Sequence, residues 1–143
     1  MRVKDLAKML KVSAETVRFY TRKGYLSPTK SPANGYKEYS PKDQARMRFI
    51  LSARALGFTV NDIGEILAVA DKQNAPCPVV RMLIEQRLME TEAQFKATEE
   101  LRNRMRTAVR EWSGLPDEEP TGHMICHLIE NFTKNTTGGE RNE

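Results

Sequence analysis

The side chains best suited to metal chemistry in this chain are two cysteines and two histidines. Three of them, His123, Cys126 and His127, are close together near the C-terminal end. They are three and four residues apart, so on a helix their side chains would share one face. A thiolate beside imidazoles is a donor set that suits borderline divalent ions such as zinc. The fourth, Cys77, lies between two prolines, where a place in a hydrophobic core is hard to explain.

Two of these residues also have an ordinary structural interpretation. Cys126 follows Ile125 and comes shortly before Leu128, so it could be a small buried hydrophobe. His127 could equally be a surface or core histidine. Two cysteines cannot build a disulfide framework, and the first residues contain no secretory signal. We therefore expect a cytoplasmic protein with reduced thiols.

Charge divides the chain into a basic part and an acidic part. Residues 1–58 contain 13 Lys and Arg against 4 Asp and Glu, a net charge of +9, whereas residues 59–143 have a net charge of −5. This division is typical of a protein that binds a polyanion with one part and uses the other differently, although charge does not distinguish DNA from RNA. No apolar run approaches the ~18 residues of a membrane span. No nucleophile elbow, phosphate-binding loop or paired-carboxylate motif indicates an enzyme.

The start of the basic part is predicted to form two short helices joined by a turn. Apolar residues at helical spacing predict a first helix over residues 3–10. Ser13 is a suitable N-cap for a second helix, and Gly24 is suited to end it. Val17 is expected to face the core. The residues expected to face outward are Thr16, Arg18, Tyr20, Arg22 and Lys23. This is the pattern of a helix-turn-helix.

A β-hairpin is predicted next, because Asn34-Gly35 is a strong signal for a two-residue turn. The second strand would carry Tyr36, Lys37 and Tyr39. This mixture of aromatic and basic side chains favours contact with phosphates and sugars. Alternatively, Tyr36 or Tyr39 could cap the core.

Three further helices are predicted. Ser40 and Thr59 are N-caps of the first two, and the third runs without Pro or Gly from residue 79 to Trp112, a length of roughly 50 Å. Its apolar positions recur every three or four residues, at Ile84, Leu88, Thr91, Phe95, Thr98, Leu101, Met105, Ala108 and Trp112. So narrow a seam on a polar helix favours a coiled-coil dimer. The alternative is that the helix packs on the basic N-terminal part of its own chain.

An acidic loop follows Trp112, and a last short helix is predicted over residues 123–132. Residues 134–143 are polar and Gly-rich, and we expect them to form a frayed end.

These motifs together resemble the mercury-resistance-regulator (MerR) family of bacterial transcription factors. The segments that match are Asp5-Leu6-Ala7-Lys8, Val12-Ser13-Ala14-Glu15-Thr16-Val17-Arg18-Phe19-Tyr20, Lys23-Gly24-Tyr25-Leu26, Asn34-Gly35-Tyr36-Lys37-Glu38-Tyr39-Ser40 and Ala53-Arg54-Ala55-Leu56-Gly57-Phe58-Thr59. The resemblance implies a mainly α fold in three parts. These are a winged helix-turn-helix DNA-binding domain (1–70), a connection and dimerisation helix (71–112), and an effector-binding loop with a short helix and frayed tail (113–143). It also implies a homodimer that, with its effector, distorts double-stranded promoter DNA so that RNA polymerase can use it.

Residue by residue, the resemblance implies DNA contacts from the second helix, the hairpin and the helix that follows. The residues concerned are Ser13, Thr16, Arg18, Tyr20, Tyr36, Lys37, Tyr39 and Arg54. In the second helix, Arg18 has the planar fork suited to a guanine edge, whereas tyrosines and lysines position the protein on the backbone. Lys37 stands where the family more often has Arg, and Thr21 replaces its usual acidic residue.

The resemblance further implies an effector site between protomers in the metal-sensing branch. There a residue at the start of the dimer helix meets a Cys-containing loop of the partner. Cys77 matches the position at the start of the dimer helix, and Cys126 matches the second cysteine of the loop. Trp112 and Ser113 stand about where the first loop cysteine is expected. We predict a divalent metal site, zinc first, formed by Cys77, His123 and Cys126, with His127 as an optional ligand. The alternatives are a cysteine that senses an electrophile or oxidant, and a non-regulatory nucleic-acid-binding protein.

Overall fold

A computed structural model of the chain describes residues 1–136, which contain six helices and a two-stranded sheet. The helices are α1 (Val3–Leu10), α2 (Ala14–Arg22), α3 (Pro41–Ala55), α4 (Val60–Asp71), α5 (Cys77–Trp112) and α6 (His127–Thr136), and the strands are β1 (Thr29–Lys30) and β2 (Lys37–Glu38). The predicted mainly α fold is confirmed. Of the frayed end expected over residues 134–143, residues 134–136 instead continue α6, and residues 137–143 lie outside the described residues.

The helix boundaries of the basic part follow local capping chemistry. The Ser13 hydroxyl accepts a hydrogen bond from the backbone N–H of Thr16 at 3.0 Å, which begins α2. Ser40 and Thr59 cap α3 and α4 in the same way, each paired with an aspartate three residues later. Gly24 adopts a positive φ of 84° after α2, a conformation that favours glycine. All these boundaries agree with the prediction.

The hairpin is wider than predicted. Thr29 pairs with Glu38 and Lys30 with Lys37, so residues 31–36 form a six-residue loop instead of a two-residue turn. The Asn34 side chain instead accepts a hydrogen bond from the backbone N–H of Tyr36 at 2.9 Å, a local turn within the loop.

The chain divides into two compact units, and the boundary between them lies within α5, between Glu90 and Thr91. In the first unit, the fully buried side chains are Leu6, Val17, Met47, Ile50 and Ile63, contributed by α1 to α4. The first turns of α5 complete this core, since Leu83 is also buried in it. The predicted domain limits at residues 70 and 112 remain a prediction. Among residues 1–136, no helix combines the length and apolar character needed to cross a membrane.

The second unit contains the rest of α5, an irregular loop and α6. The indole of Trp112 packs edge-on against the ring of Phe132 at 5.9 Å. Helix α6 begins at His127, four residues later than predicted, because a turn at residues 121–124 with Gly122 at φ 58° precedes it. The Glu130 carboxylate accepts hydrogen bonds from the backbone N–H groups of Ile125 and Cys126 at the start of this helix.

Candidate functional site

Helix α2 presents a polar face in the first unit. Arg18 is exposed on it, and one of its guanidinium nitrogens lies 3.7 Å from the Glu15 carboxylate. Ser13 and Thr16 lie at the start of the same helix, with their hydroxyl oxygens 2.9 Å apart. Ser13 therefore caps the helix and remains exposed beside Thr16. The structure thus brings these three predicted DNA-contacting residues together.

Tyr20, by contrast, does not face outward as predicted. It lies three residues after Val17 and is buried with it in the core. Its ring contacts Phe19 edge-on at 5.0 Å and stacks with Tyr25 at 6.1 Å. The aromatic neighbours, which α2 and the following loop supply, explain why this polar aromatic is buried.

The two tyrosines of the predicted strand have opposite environments. Tyr36 is 56% exposed, whereas Tyr39 is 2% exposed and belongs to the core. The Tyr39 hydroxyl lies 2.9 Å from the Thr21 hydroxyl, which itself donates to the Val17 carbonyl. Tyr39 therefore caps the core, and Thr21 joins α2 to the end of the hairpin.

The N-terminal residues lie along strand β2. The backbone N–H of Tyr39 donates to the Met1 carbonyl at 2.7 Å. This contact brings the Arg2 guanidinium to 4.3 Å from the centre of the Tyr36 ring, a cation–π geometry. Tyr36 and Arg2 thus present an aromatic and a cationic group together at the surface.

A concavity of about 790 Å³ lies between α1, α2 and the hairpin. Its cationic lining residues are Arg2, Lys4, Arg18, Arg22 and Lys37. Asp5 also lines it, and its carboxylate accepts the backbone N–H of Arg2 at the start of α1. Such a surface can hold several phosphates at once, each at a separate cation.

Arg2 and Lys4 of this concavity were not among the predicted site residues. Their charge was visible in the sequence, but their distance of more than 30 residues from Lys37 concealed that they share one surface. Arg54, which was predicted, is exposed on α3, and its guanidinium donates to the Phe58 carbonyl at 2.7 Å. That bond braces the turn between α3 and α4.

Of the candidate metal ligands, Cys77 begins a helix as expected, whereas His123 and Cys126 are placed differently from the prediction. Cys77 is exposed as the first residue of α5, His123 is exposed in the loop, and Cys126 is partly exposed just before α6. Because α6 begins only at His127, His123 and Cys126 do not share a helical face, and that expected alignment is wrong.

His127 is buried, and both of its ring nitrogens have neighbours within the loop. Its Nε2 lies 3.0 Å from the Pro116 carbonyl, and its Nδ1 lies 3.7 Å from the Glu118 carboxylate. The ring thus holds the acidic loop against α6, which does not fit a metal ligand. Within residues 1–136 of a single chain, no three His, Cys, Asp or Glu side chains converge on one point.

The donor set outside His127 does fit a borderline divalent ion. Cys77, His123 and Cys126 provide two thiols and one imidazole at accessible or partly accessible positions. These are ligand types that zinc prefers.

Comparison with known proteins covers both units. Residues 1–69 match the family described as "MerR HTH family regulatory protein", and residues 44–108 match the one described as "MerR, DNA binding". The HTH-type transcriptional regulator ZntR of Escherichia coli (strain K12) is 32% identical over 95 residues, which make up 66% of this chain and 67% of that protein. The mercuric resistance operon regulatory protein of Serratia marcescens is 37% identical over 84 residues, 59% of this chain and 57% of that one.

The fold is also found among solved structures. The crystal structure of the transcription regulator PbrR691 from Ralstonia metallidurans CH34, in complex with lead(II), matches with a TM-score of 0.70. The match covers 92% of this chain and 98% of that one at 22% sequence identity, so the likeness concerns the fold.

Proposed function

Because this chain belongs to the MerR family of transcriptional regulators, we propose that it binds promoter DNA as a homodimer and distorts it in response to a divalent metal ion. The observation that carries the proposal is the concavity lined by five cationic side chains beside the exposed face of α2. Members of the family and the relatives above are transcription regulators and not enzymes, so the site is a binding surface without a reaction.

The cationic residues of the concavity suit two kinds of DNA contact, one with the sugar-phosphate backbone and one with a base edge. Lys37 and Lys4 carry flexible point charges that suit phosphates, and Tyr36 beside Arg2 suits a sugar-phosphate edge. Arg18, exposed on α2, has the planar fork that reads guanine in the major groove. The lysines therefore determine affinity for any duplex, and Arg18 contributes the preference for one sequence.

The apolar seam of α5 supports the homodimer. Leu88 is 56% exposed and Phe95 is 69% exposed in the single chain, and Leu101 and Met105 are exposed as well. A row of large apolar side chains along a polar helix is stabilised by burial against a second helix. A second copy of α5 is the partner that this repeat of three and four residues fits.

The junction between α5 and the DNA-binding head, which consists of α1 to α4 with the hairpin, supports the allosteric part of the proposal. Leu83 is buried in the head's core, and the Arg87 guanidinium lies 3.2 Å from the buried Asp62 carboxylate of α4. A change in how two α5 helices meet is therefore passed to each head through packed contacts. An effector acts on the DNA if it binds the distorting arrangement more tightly than the other.

We assign the effector site to Cys77 of one protomer with His123 and Cys126 of the other. The accessible thiols and imidazole support this set, as does the family resemblance of Cys77 and Cys126. A related fold was solved with lead(II), and a relative regulates mercuric resistance. Zinc is our first candidate, and His127 positions the loop without binding the ion. When bound, the ion links the two protomers.

The DNA part is tested with an operator that the protein itself enriches from a pool of random duplexes. We expect Arg18→Ala to lower affinity for that operator by about 1–3 kcal/mol and to lower affinity for a shuffled duplex much less, because Arg18 makes only a phosphate contact there. Lys37→Ala should weaken binding to both duplexes alike. Failure to enrich any sequence, or equal affinity for operator and shuffled duplex at physiological salt, would contradict the regulator function.

The metal part is tested by titrating Zn²⁺, Cd²⁺ and Co²⁺ into the reduced apo dimer. We expect tight binding in the parent and in His127→Gln, and its loss in Cys77→Ser and in Cys126→Ser. A mixed dimer of these two cysteine variants should regain one site, because one interface then keeps both cysteines. Undiminished binding in either single variant rejects the site. A thiol reagent that changes DNA binding in metal-free protein would favour the electrophile sensor instead.

A further inference from the structure

Glu15 places a carboxylate among the cations of the proposed DNA-binding face. Its Oε2 accepts a hydrogen bond from Arg22 at 2.7 Å, and its Oε1 lies 3.7 Å from Arg18. The spacing of three and seven residues puts all three side chains on one side of α2. Both arginines line the basic concavity.

Helix stability is a weak explanation for these pairs. The side chains of Glu15, Arg18 and Arg22 are each at least half exposed, and ion pairs in water contribute little to folding. The same exposure means that an incoming anion can open them. The hydrogen bond and charge of Arg22, followed by the charge of Arg18, lower the pKa of Glu15, so its carboxylate is ionised at neutral pH.

We propose that Glu15 competes with DNA phosphates for Arg18 and Arg22, and thereby suppresses binding to duplexes that lack the operator. This inference rests on the proposed DNA-binding function and names a residue that sets its specificity. On a non-specific duplex these arginines can bind only phosphates, and each phosphate must displace the Glu15 carboxylate. On the operator, Arg18 binds a base edge instead of a phosphate, so Glu15 gives up only its 3.7 Å contact with Arg18 and keeps the 2.7 Å hydrogen bond from Arg22. The carboxylate is thus a repulsive element that penalises the wrong partner more than the right one.

The test compares Glu15→Gln with Glu65→Gln, using the enriched operator and its shuffled version at several salt concentrations. Glu65 is exposed on α4 and outside the lining of the concavity, so its variant changes net charge equally. For Glu15→Gln we expect tighter binding to the shuffled duplex and a salt dependence steeper by about 0.9 for each additional phosphate that the protein neutralises. One additional phosphate corresponds to about a threefold change in affinity between 50 and 200 mM salt. Relative to the parent, the specificity ratio of Glu15→Gln should therefore be lower, and about threefold lower at 50 mM than at 200 mM salt. Glu65→Gln should change neither the slope nor the ratio.

The double variant Glu15→Gln/Arg22→Ala identifies the cation that Glu15 masks. We expect the tighter binding to the shuffled duplex to be mostly lost in it, because the released arginine is then absent. Circular dichroism checks that each variant keeps the helix content of the parent. This inference is overturned if Glu15→Gln changes neither the salt slope nor the specificity ratio, or if Glu65→Gln has an equal effect. In either case, a parent protein that still prefers its operator upholds the proposed function. A parent without any preference contradicts the proposed function itself.

Discussion

Tyr25 shows how one side chain constrains a distant position. Its hydroxyl donates to the Val60 carbonyl at 2.8 Å, and its ring stacks on Tyr20. Burial, with a smaller contribution from Tyr20, raises the pKa of Tyr25 above its ordinary value of 10.0, so the hydroxyl keeps its proton for this bond. A Cβ added at Gly64 would overlap the same hydroxyl oxygen. Gly64 is thus present because the tyrosine occupies the space of any larger side chain.

Gly64→Ala is expected to destabilise the protein despite its position within helix α4. Alanine favours a helix over glycine by about 1 kcal/mol, but the added methyl displaces the Tyr25 hydroxyl from its bond, and overpacking costs about 1–3 kcal/mol. Urea denaturation at fixed protein concentration measures the change. Tyr25→Phe in the same chain should restore part of the loss. Gly114→Ala, where no atom lies within 4 Å, should stay within ~0.5 kcal/mol of the parent. A neutral or stabilising Gly64→Ala would contradict the contact.

At the level of elements, the junction between α4 and α5 depends on a buried ion pair. The side chain of Asp62 is 6% exposed and that of Arg87 is 20% exposed. Asp62 also accepts the backbone N–H of Thr59 at 2.9 Å, so the same carboxylate both caps α4 and holds α5. The start of α5 is therefore joined to the DNA-binding head by charge as well as by the packing of Leu83.

Arg87→Met should lower the free energy of unfolding by about 1–3 kcal/mol, because the Asp62 carboxylate then remains buried with the Thr59 N–H and without its cation. Thermal and urea unfolding at matched protein concentration measure this, since the stability of a dimer depends on concentration. Arg81→Met, at an exposed position of the same helix, is the control. In the double variant Arg87→Met/Asp62→Asn the loss should be smaller than the sum of the two single losses. Additive losses would mean that the two residues act independently.

For the whole molecule, the apolar seam of α5 is the feature that a single chain leaves uncovered. We expect Phe95→Asp to convert the dimer into monomer at micromolar concentration, because a carboxylate would then be buried between two helices. Sedimentation equilibrium measures the change. Ala97→Asp adds the same charge on the opposite side of α5 and should leave the dimer intact. Loss of the dimer in both variants, or in neither, would contradict the seam as the interface.

The amino-acid sequence by itself determined the parts of this protein that depend on neighbours a few residues away. Ser13, Ser40 and Thr59 begin helices because each hydroxyl accepts an N–H three residues later, a bond that needs no distant partner. Most of the length of α5 follows from a run without Pro or Gly from residue 79 to Trp112, and Pro78 lies in the first turn of the helix, where its missing N–H has no partner to lose. The separation of basic and acidic parts, and the motifs that resemble the family, are properties of the sequence alone.

The tertiary structure decided what depends on residues far apart in the chain. Tyr39 and Tyr36 look equivalent in the sequence, yet Thr21 on another element binds one of them and Arg2 stacks on the other. The burial of His127 depends in the same way on the acidic loop, whose Pro116 carbonyl and Glu118 carboxylate lie beside its ring nitrogens. Burial is set by the surfaces that meet when the chain closes on itself, and a periodicity over a few residues does not contain that information.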